Sequence, residues 1–173
     1  MDKPVIIEDY NSEWSKEFEK EKEKLMKVLA DKIISIEHIG STSVDGLGAK
    51  PILDIAIGVV ELEVVDDFIE PLKQIGYEFV YHKEFPERRF FRKGQWRAGT
   101  HHLHFYEFES EHWNNQLLFR NYLRNNPNVL KEYHMLKKEL AEKYQFDRIL
   151  YTEAKAPFIK NVLKKAKEEI EHV

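Results

Sequence analysis

Apolar residues recur along this chain in two rhythms, and the switches between them mark out its elements. Trp14, Phe18, Leu25 and Leu29 fall at helical spacing with Glu and Lys between them. That spacing predicts a helix capped by Asn11 or Ser12, with Glu13 in its first turn, running to about Asp31. The charge run Glu17 to Lys24 reads as its solvated face. Val5 to Ile7, just upstream, is a short apolar segment and a candidate edge strand. Beyond the helix the rhythm shortens. Ile33 to Ile39 predicts a strand with Ile34, Ile36 and His38 on one face. Ile52 to Val60 predicts a second, with Leu53, Ile55, Ile57 and Val59 on one face and Ile52, Asp54, Ala56 and Gly58 on the other. The bulky face belongs under helices and the small face beside a cleft. Asp66 to Gly76 returns to helical spacing, with Pro71 positioned to kink it. Tyr77 to Tyr81, Arg89 to Lys93 and His102 to Phe108 predict three more strands, separated by Pro, Gly and charged residues as in antiparallel turns. From Ser110 the pattern is helical to the end. Trp113, Leu117, Tyr122 and Leu123 form one stripe, stopped near Asn126 and Pro127. Leu130, Tyr133, Leu136, Leu140 and Tyr144 form another, and Phe158 to Ile170 a third, capped near Thr152. The sum is an α+β fold: a sheet with helices on one face and a C-terminal helical extension, in one domain over residues 1–173.

Two places in this pattern carry chemistry. The first is the stretch from His38 to Val60. Between its two strands lies Gly40-Ser41-Thr42-Ser43, whose small residues let backbone N–H groups approach a ligand and whose hydroxyls add donors. A turn of this kind after a strand is a phosphate cradle in prospect. Asp54 then interrupts an otherwise apolar strand, and burying an unpaired carboxylate costs several kcal/mol, so it calls for a partner. His38, at the end of its strand, reads as a hydrogen-bonded residue that orders the turn. The second place is the strand His102 to Phe108, where His102, His104 and Tyr106 share a face opposite Leu103 and Phe105. Two histidines at i and i+2 stand about 7 Å apart at Cα and their rings can meet at one ion. If this strand lies beside that of Asp54, one carboxylate and two imidazoles form a transition-metal set.

Composition narrows the field. The formal charge of −4 argues against a dedicated nucleic-acid binder. With no cysteine, disulfides, thiolate catalysis and Cys-type zinc sites drop out. The first residues, MDKPVIIEDYNSEW, lack the apolar core of a signal peptide, and no apolar run reaches the ~20 residues of a membrane span, so the expected address is the cytoplasm.

The residues HIGSTSVDGLGAKPILDI, 38 to 55, closely resemble the signature of the GrpB-like family, within the nucleotidyltransferase-fold superfamily. The arginine-rich strand, the HLH strand, the FRNYLR segment at Phe119 to Arg124 and the stretch Tyr151 to Phe158 resemble the same family. The resemblance implies a nucleotidyltransferase-like mixed sheet in which Gly40-Ser41 holds phosphate and acids on neighbouring strands hold divalent metals. This chain departs from the superfamily motif. Asp54 is the first acid, but Ala56 stands where the second would be, and the strand that could carry a third offers His102 and His104. Imidazole is a poor ligand for Mg²⁺ and a better one for Mn²⁺ or Zn²⁺, so the cofactor expected is a divalent metal of the set Mn, Zn or Mg.

Cations complete the expected site. Lys50, Arg88, Arg120, Arg124 and Lys155 are the candidate phosphate contacts, with Arg120 and Arg124 four apart on one helical face. Arg92 and Arg97 flank the antiparallel strands. Lys155 is placed near the start of the last helix, where the helix dipole offers a cation nothing. The expected partner is a nucleotide or another phosphorylated small molecule. The expected function is metal-dependent nucleotidyl transfer from a nucleoside triphosphate to a small acceptor, with Asp54 catalytic. The alternatives are a non-catalytic nucleotide- or phosphometabolite-binding module on the same fold, and a metal-dependent hydrolase built on Asp54, His102 and His104.

Overall fold

The structure is a computed structural model and describes residues 3–95 and 98–172. Its strands are β1 (Ser35–Ile39), β2 (Leu53–Val59), β3 (Tyr77–Val80), β4 (Arg89–Gln95) and β5 (Ala98–Glu107). They form one sheet in the order β1-β2-β5-β4-β3. Only β2 and β5 are parallel; the other three pairs are antiparallel. The helices are α1 (Glu13–Leu29), α2 (Ile69–Gln74), α3 (Glu111–Asn125), α4 (Pro127–Lys143) and α5 (Arg148–Glu171). The fold is therefore the expected α+β arrangement, a mixed sheet with a C-terminal helical extension.

Alternation in β2 sets the layers. Leu53, Ile55, Ile57 and Val59 are all buried; Ile55, Ile57 and Val59 join the main core with Phe18, Leu25 and Leu29 of α1, Leu72 of α2, and Leu103 and Phe105 of β5. The small-residue face is open only at its Asp54 end. Further along, Ala56 packs with Ile39, Tyr106 and Trp113, so α3 closes that part of the face. Gly58 is small for the same reason: a Cβ there would lie 2.9 Å from Phe108 Cδ2.

Several boundaries move, each for a local reason. Val5 to Ile7 forms no strand. Val5 is buried against Leu140, Ala141 and Tyr151, and the segment touches β structure only through a Glu8–Ala49 bridge. α1 gives way at Ala30 to a 3₁₀ turn through Lys32. The helix expected over Asp66 to Gly76 is a 3₁₀ segment from Leu62 to Phe68 followed by α2. Pro71 is the third residue of α2, in the first turn where its missing N–H has no helical partner, so it starts the helix and does not kink it. β5 begins four residues early, at Ala98. α5 starts at Arg148, because Asp147 caps it by accepting from Leu150 N (3.0 Å). Arg97 lies outside the described residues. Among the described residues no helix is long and apolar enough to cross a membrane.

One member of the supposed solvated run is buried. Glu21 is 3% exposed and accepts hydrogen bonds from Tyr77 Oη (2.7 Å) and Lys93 Nζ (3.0 Å). Burial alone would raise its pKa, but those two bonds more than reverse this, and the carboxyl titrates below its ordinary value. Glu21 thus ties α1 to the β3–β4 edge. Glu21→Ala should cost about 1–3 kcal/mol in urea unfolding, because the Tyr77 hydroxyl loses its acceptor inside the protein. A loss of only a few tenths would return Glu21 to the solvated face.

Candidate functional site

The site begins at Gly40. Its φ of +72° suits glycine, and a Cβ built there would sit 2.7 Å from Asp54 Oδ2. Turn and carboxylate are therefore in direct contact, and any side chain at Gly40 would push Asp54 away. The next three residues form a single 3₁₀ turn. Ser43 closes it, donating from both N–H (3.1 Å) and hydroxyl to Gly40 O. Gly40, Ser41 and Thr42 line the cavities at Asp54, whereas the Ser43 hydroxyl is spent on the turn. His38 plays the ordering role expected of it. Its ring stacks on Phe18 (centroids 4.7 Å apart), and its Nε2 lies 2.9 Å from Thr42 Oγ1. Burial lowers its pKa to about 4.

The parallel pairing of β2 with β5 sets Asp54 opposite His102 and Ala56 opposite His104. All three candidate metal ligands thus face the same side, with their ligand atoms within 4.8 Å of one another. His104 Nε2 is 2.8 Å from Asp54 Oδ1, and His102 Nδ1 is 3.5 Å from the same oxygen. Arg88 stands behind this set. Its Nη1 lies 3.4 Å from His104 Nδ1 and its Nη2 2.9 Å from His82 Nδ1, with the guanidinium over the rings of Phe85 and Phe90. A guanidinium only donates, so Nδ1 of His104 is the acceptor and Nε2 carries the proton given to Asp54. Burial outweighs the pull of Asp54 and keeps His104 neutral to lower pH than usual. Asp54 itself is held well below the usual carboxylate range: burial opposes this, but the contacts with His102 and His104 prevail. Arg88, expected at phosphate, therefore acts on the site through His104.

Beside Asp54 lies a cavity of about 140 Å³ lined by Ser41, Lys50, His102, Lys137, Tyr151 and Lys155 among others. Lys155 reaches it from the interior of α5, one turn after Tyr151, and not from a helix start. Lys50 and Lys155 place their ammonium groups 5.3 and 4.6 Å from the Tyr151 ring centre. Lys137 is absent from the set expected from sequence. It is 2% exposed, with Nζ 2.6 Å from Gly48 O. A signal for it exists: Lys137 is four residues after Tyr133 and three before Leu140, on the inward stripe of α4. Tyr151 is absent from that set too, because it precedes by one residue the cap expected at Thr152. Burial lowers the pKa of all three lysines, and their mutual repulsion adds to this for Lys137 and Lys155, the latter falling to about 8. The Tyr151 hydroxyl, also buried, has no hydrogen-bond partner among the described residues.

Arg120 and Arg124 are brought to a different place. They line a separate cavity between α1, β1 and α3. Arg120 Nη1 donates to Glu37 Oε2 (2.6 Å) and His38 O (2.9 Å). Arg124 donates twice to Ser43 O, at 3.1 and 2.7 Å. Their shared helical face is real, but it clamps β1 and the turn and does not reach the Asp54 cavity. Arg92 is drawn to the sheet edge, 3.3 Å from Glu78.

Comparison with known proteins agrees with this architecture. The family model described as "GrpB protein" matches residues 4–165. The chain is 42% identical over 158 residues to UPF0157 protein YqkA of Bacillus subtilis, covering 91% of this chain but only 46% of YqkA, so it spans about half of that relative. The crystal structure of conserved protein GrpB from Enterococcus faecalis superposes with a TM-score of 0.88 at 38% identity, covering 95% of this chain and 99% of that one. Cid1 in complex with the UTP analogue UMPNPP shares the fold, with a TM-score of 0.53 at 16% identity over 79% of this chain and 43% of Cid1.

Ala56 is wholly buried, so Ala56→Asp should not restore a two-acid motif; it should cost several kcal/mol, read as a lowered urea midpoint. An Ala56→Asp variant as stable as the parent would show that the space is polar after all. His38 provides a second test, through pH. Its pKa is 6.5 when unperturbed and about 4 in the fold. Between those values the unfolded chain binds the extra proton, so stability should fall as pH drops from about 6.5 to 4, by on the order of 3 kcal/mol. His38→Phe keeps the stack on Phe18 and should flatten that part of the stability–pH curve; an unchanged curve would show that His38 is not buried as described.

Proposed function

The chain belongs to the GrpB family and has a nucleotidyltransferase-like fold, and on that premise we propose that it binds the phosphates of a nucleotide together with one divalent cation. The observation carrying this reading is the convergence of Lys50, Lys137 and Lys155 on one small cavity that also touches Ser41, Asp54 and His102. Three cations with lowered pKa and a buried hydroxyl, Tyr151, with no partner among the described residues are costly until an anion fills the space between them. Asp54, His102 and His104 fit a cation of the Mn²⁺ or Zn²⁺ kind better than Mg²⁺, since two of the three donors are imidazole; to offer its Nε2 lone pair, His104 would move its proton to Nδ1 and give up the 3.4 Å contact with Arg88. Such an ion, when bound, neutralises phosphate charge and polarises a P–O bond. The chain's own groups do the rest: the lysines hold the phosphates and Ser41 adds a hydroxyl.

The corresponding reaction is transfer of a nucleotidyl group to a small acceptor with release of pyrophosphate. A non-catalytic binding module is the second reading, and the sealed position of Ala56 favours it, because a second metal has no carboxylate there. The ligand class is a phosphorylated small molecule under either reading.

Equilibrium binding of nucleoside triphosphates with Mn²⁺, Zn²⁺ or Mg²⁺ tests the common part. Lys155→Met should weaken binding about ten-fold or more, since a charge-assisted contact contributes roughly 1.5–3 kcal/mol. Asp54→Asn should weaken the dependence on the cation. No triphosphate binding with any of the three ions would overturn the proposal. Pyrophosphate release from labelled triphosphates and candidate acceptors then separates transferase from module.

A further inference from the structure

Asp54 serves two chambers. The lysine cavity is one; the other, of about 230 Å³, is lined by Asn115, Gln116, Phe119, Tyr133, Ile159 and Leu163, and shares Ser41, Asp54 and Lys155 with the first. We propose that this second chamber binds the heterocyclic base of the nucleotide whose phosphates occupy the lysine cavity. The inference rests on the phosphate reading above and adds the part of the ligand that the lysines cannot recognise.

The chemistry of the walls selects the group. Phe119, Ile159 and Leu163 offer apolar surface from α3 and α5, and all three are only half-buried, so that surface is available. Asn115 and Gln116 stand beside it with two carboxamides. Each carboxamide has two N–H donors and one acceptor oxygen, and the Gln116 contact with Tyr106 Oη (3.3 Å) uses one donor. A planar ring with a polar edge satisfies both kinds of wall. An acyl chain would leave the carboxamides unpaired, and a bare sugar would gain nothing from the apolar side. Tyr133 is held in place by stacking on Phe158 (5.1 Å, 4° between planes) and by an edge contact with Phe119, which makes the wall rigid. The two chambers come from different parts of the chain: Lys50 and Lys137 belong to the phosphate side, Asn115 and Gln116 to the other. A single ligand passing over Asp54 and Ser41 reaches both.

The test compares inorganic tripolyphosphate with the four nucleoside triphosphates by titration calorimetry, in the presence of Mn²⁺, for wild type and two variants. Leu163→Trp fills the chamber from the half-exposed face of α5. Gln116→Ala removes a carboxamide without adding bulk, and keeps the test open if the larger change disturbs the fold. At least one nucleoside triphosphate should bind wild type about ten-fold or more tightly than tripolyphosphate, and both variants should cut that ratio several-fold while leaving tripolyphosphate affinity within about two-fold. Tripolyphosphate binding as tight as every nucleotide, or a nucleotide preference that neither variant alters, overturns the base chamber while leaving the phosphate reading intact. Failure of tripolyphosphate and nucleotides alike overturns both.

Discussion

A single half-buried carboxylate organises this protein. Asp54 lies where strand β2, the Gly40 turn and strand β5 meet, and each of those elements has been shaped to it. Gly40 has no room for a side chain because the carboxylate occupies it. His102 and His104 face it because β5 runs parallel to β2 in that register. A charge in this position is tolerable only with partners. The imidazoles supply hydrogen bonds, and the lysines of the adjoining cavity supply positive potential. Asp54 in turn favours the charged form of Lys50, Lys137 and Lys155, opposing the burial that disfavours it.

The cluster of lysines is not a stabilising device. Ammonium groups taken from water and set near one another oppose folding, and the single carboxylate at the cavity edge offsets only part of that opposition. Ionisable groups perturbed in this way cluster at functional sites, and the core elsewhere carries their cost. Here the main core under α1 and α2 lies on the far side of the sheet, built from Ile55, Ile57, Leu103 and Phe105. The same strands therefore present apolar residues to one face and the charged site to the other.

The arginines of α3 divide differently from the lysines. Arg120 and Arg124 direct their N–H groups at the carbonyls of His38 and Ser43, on either side of the glycine–serine turn. Backbone carbonyls at a tight turn need donors as much as a phosphate does. The clamp fixes the turn from behind, while the lysines approach from the other side.

Much of this was legible in the sequence, and the exceptions have a common cause. Alternation in Leu53 to Val59 was enough to separate the core face from the Asp54 face, and alternation in His102 to Phe108 to put both histidines on one side, because a strand has a period of two and no freedom to depart from it. The small turn before Asp54 was legible because glycine and hydroxyl residues have few other reasons to cluster. Pairing was not legible. Whether Asp54 and the histidines share a face of one sheet depends on β5 inserting beside β2, across nearly forty residues of intervening chain. The contacts of cations were not legible either. Arg120, Arg124 and Lys155 lie on helices, and local spacing fixes which residues share a helical face but not which way that face turns; Lys137 sits on an apolar stripe, that of α4. Packing of α3, α4 and α5 against the sheet decided that. It sent two arginines to backbone carbonyls and turned two lysines inward to the carboxylate.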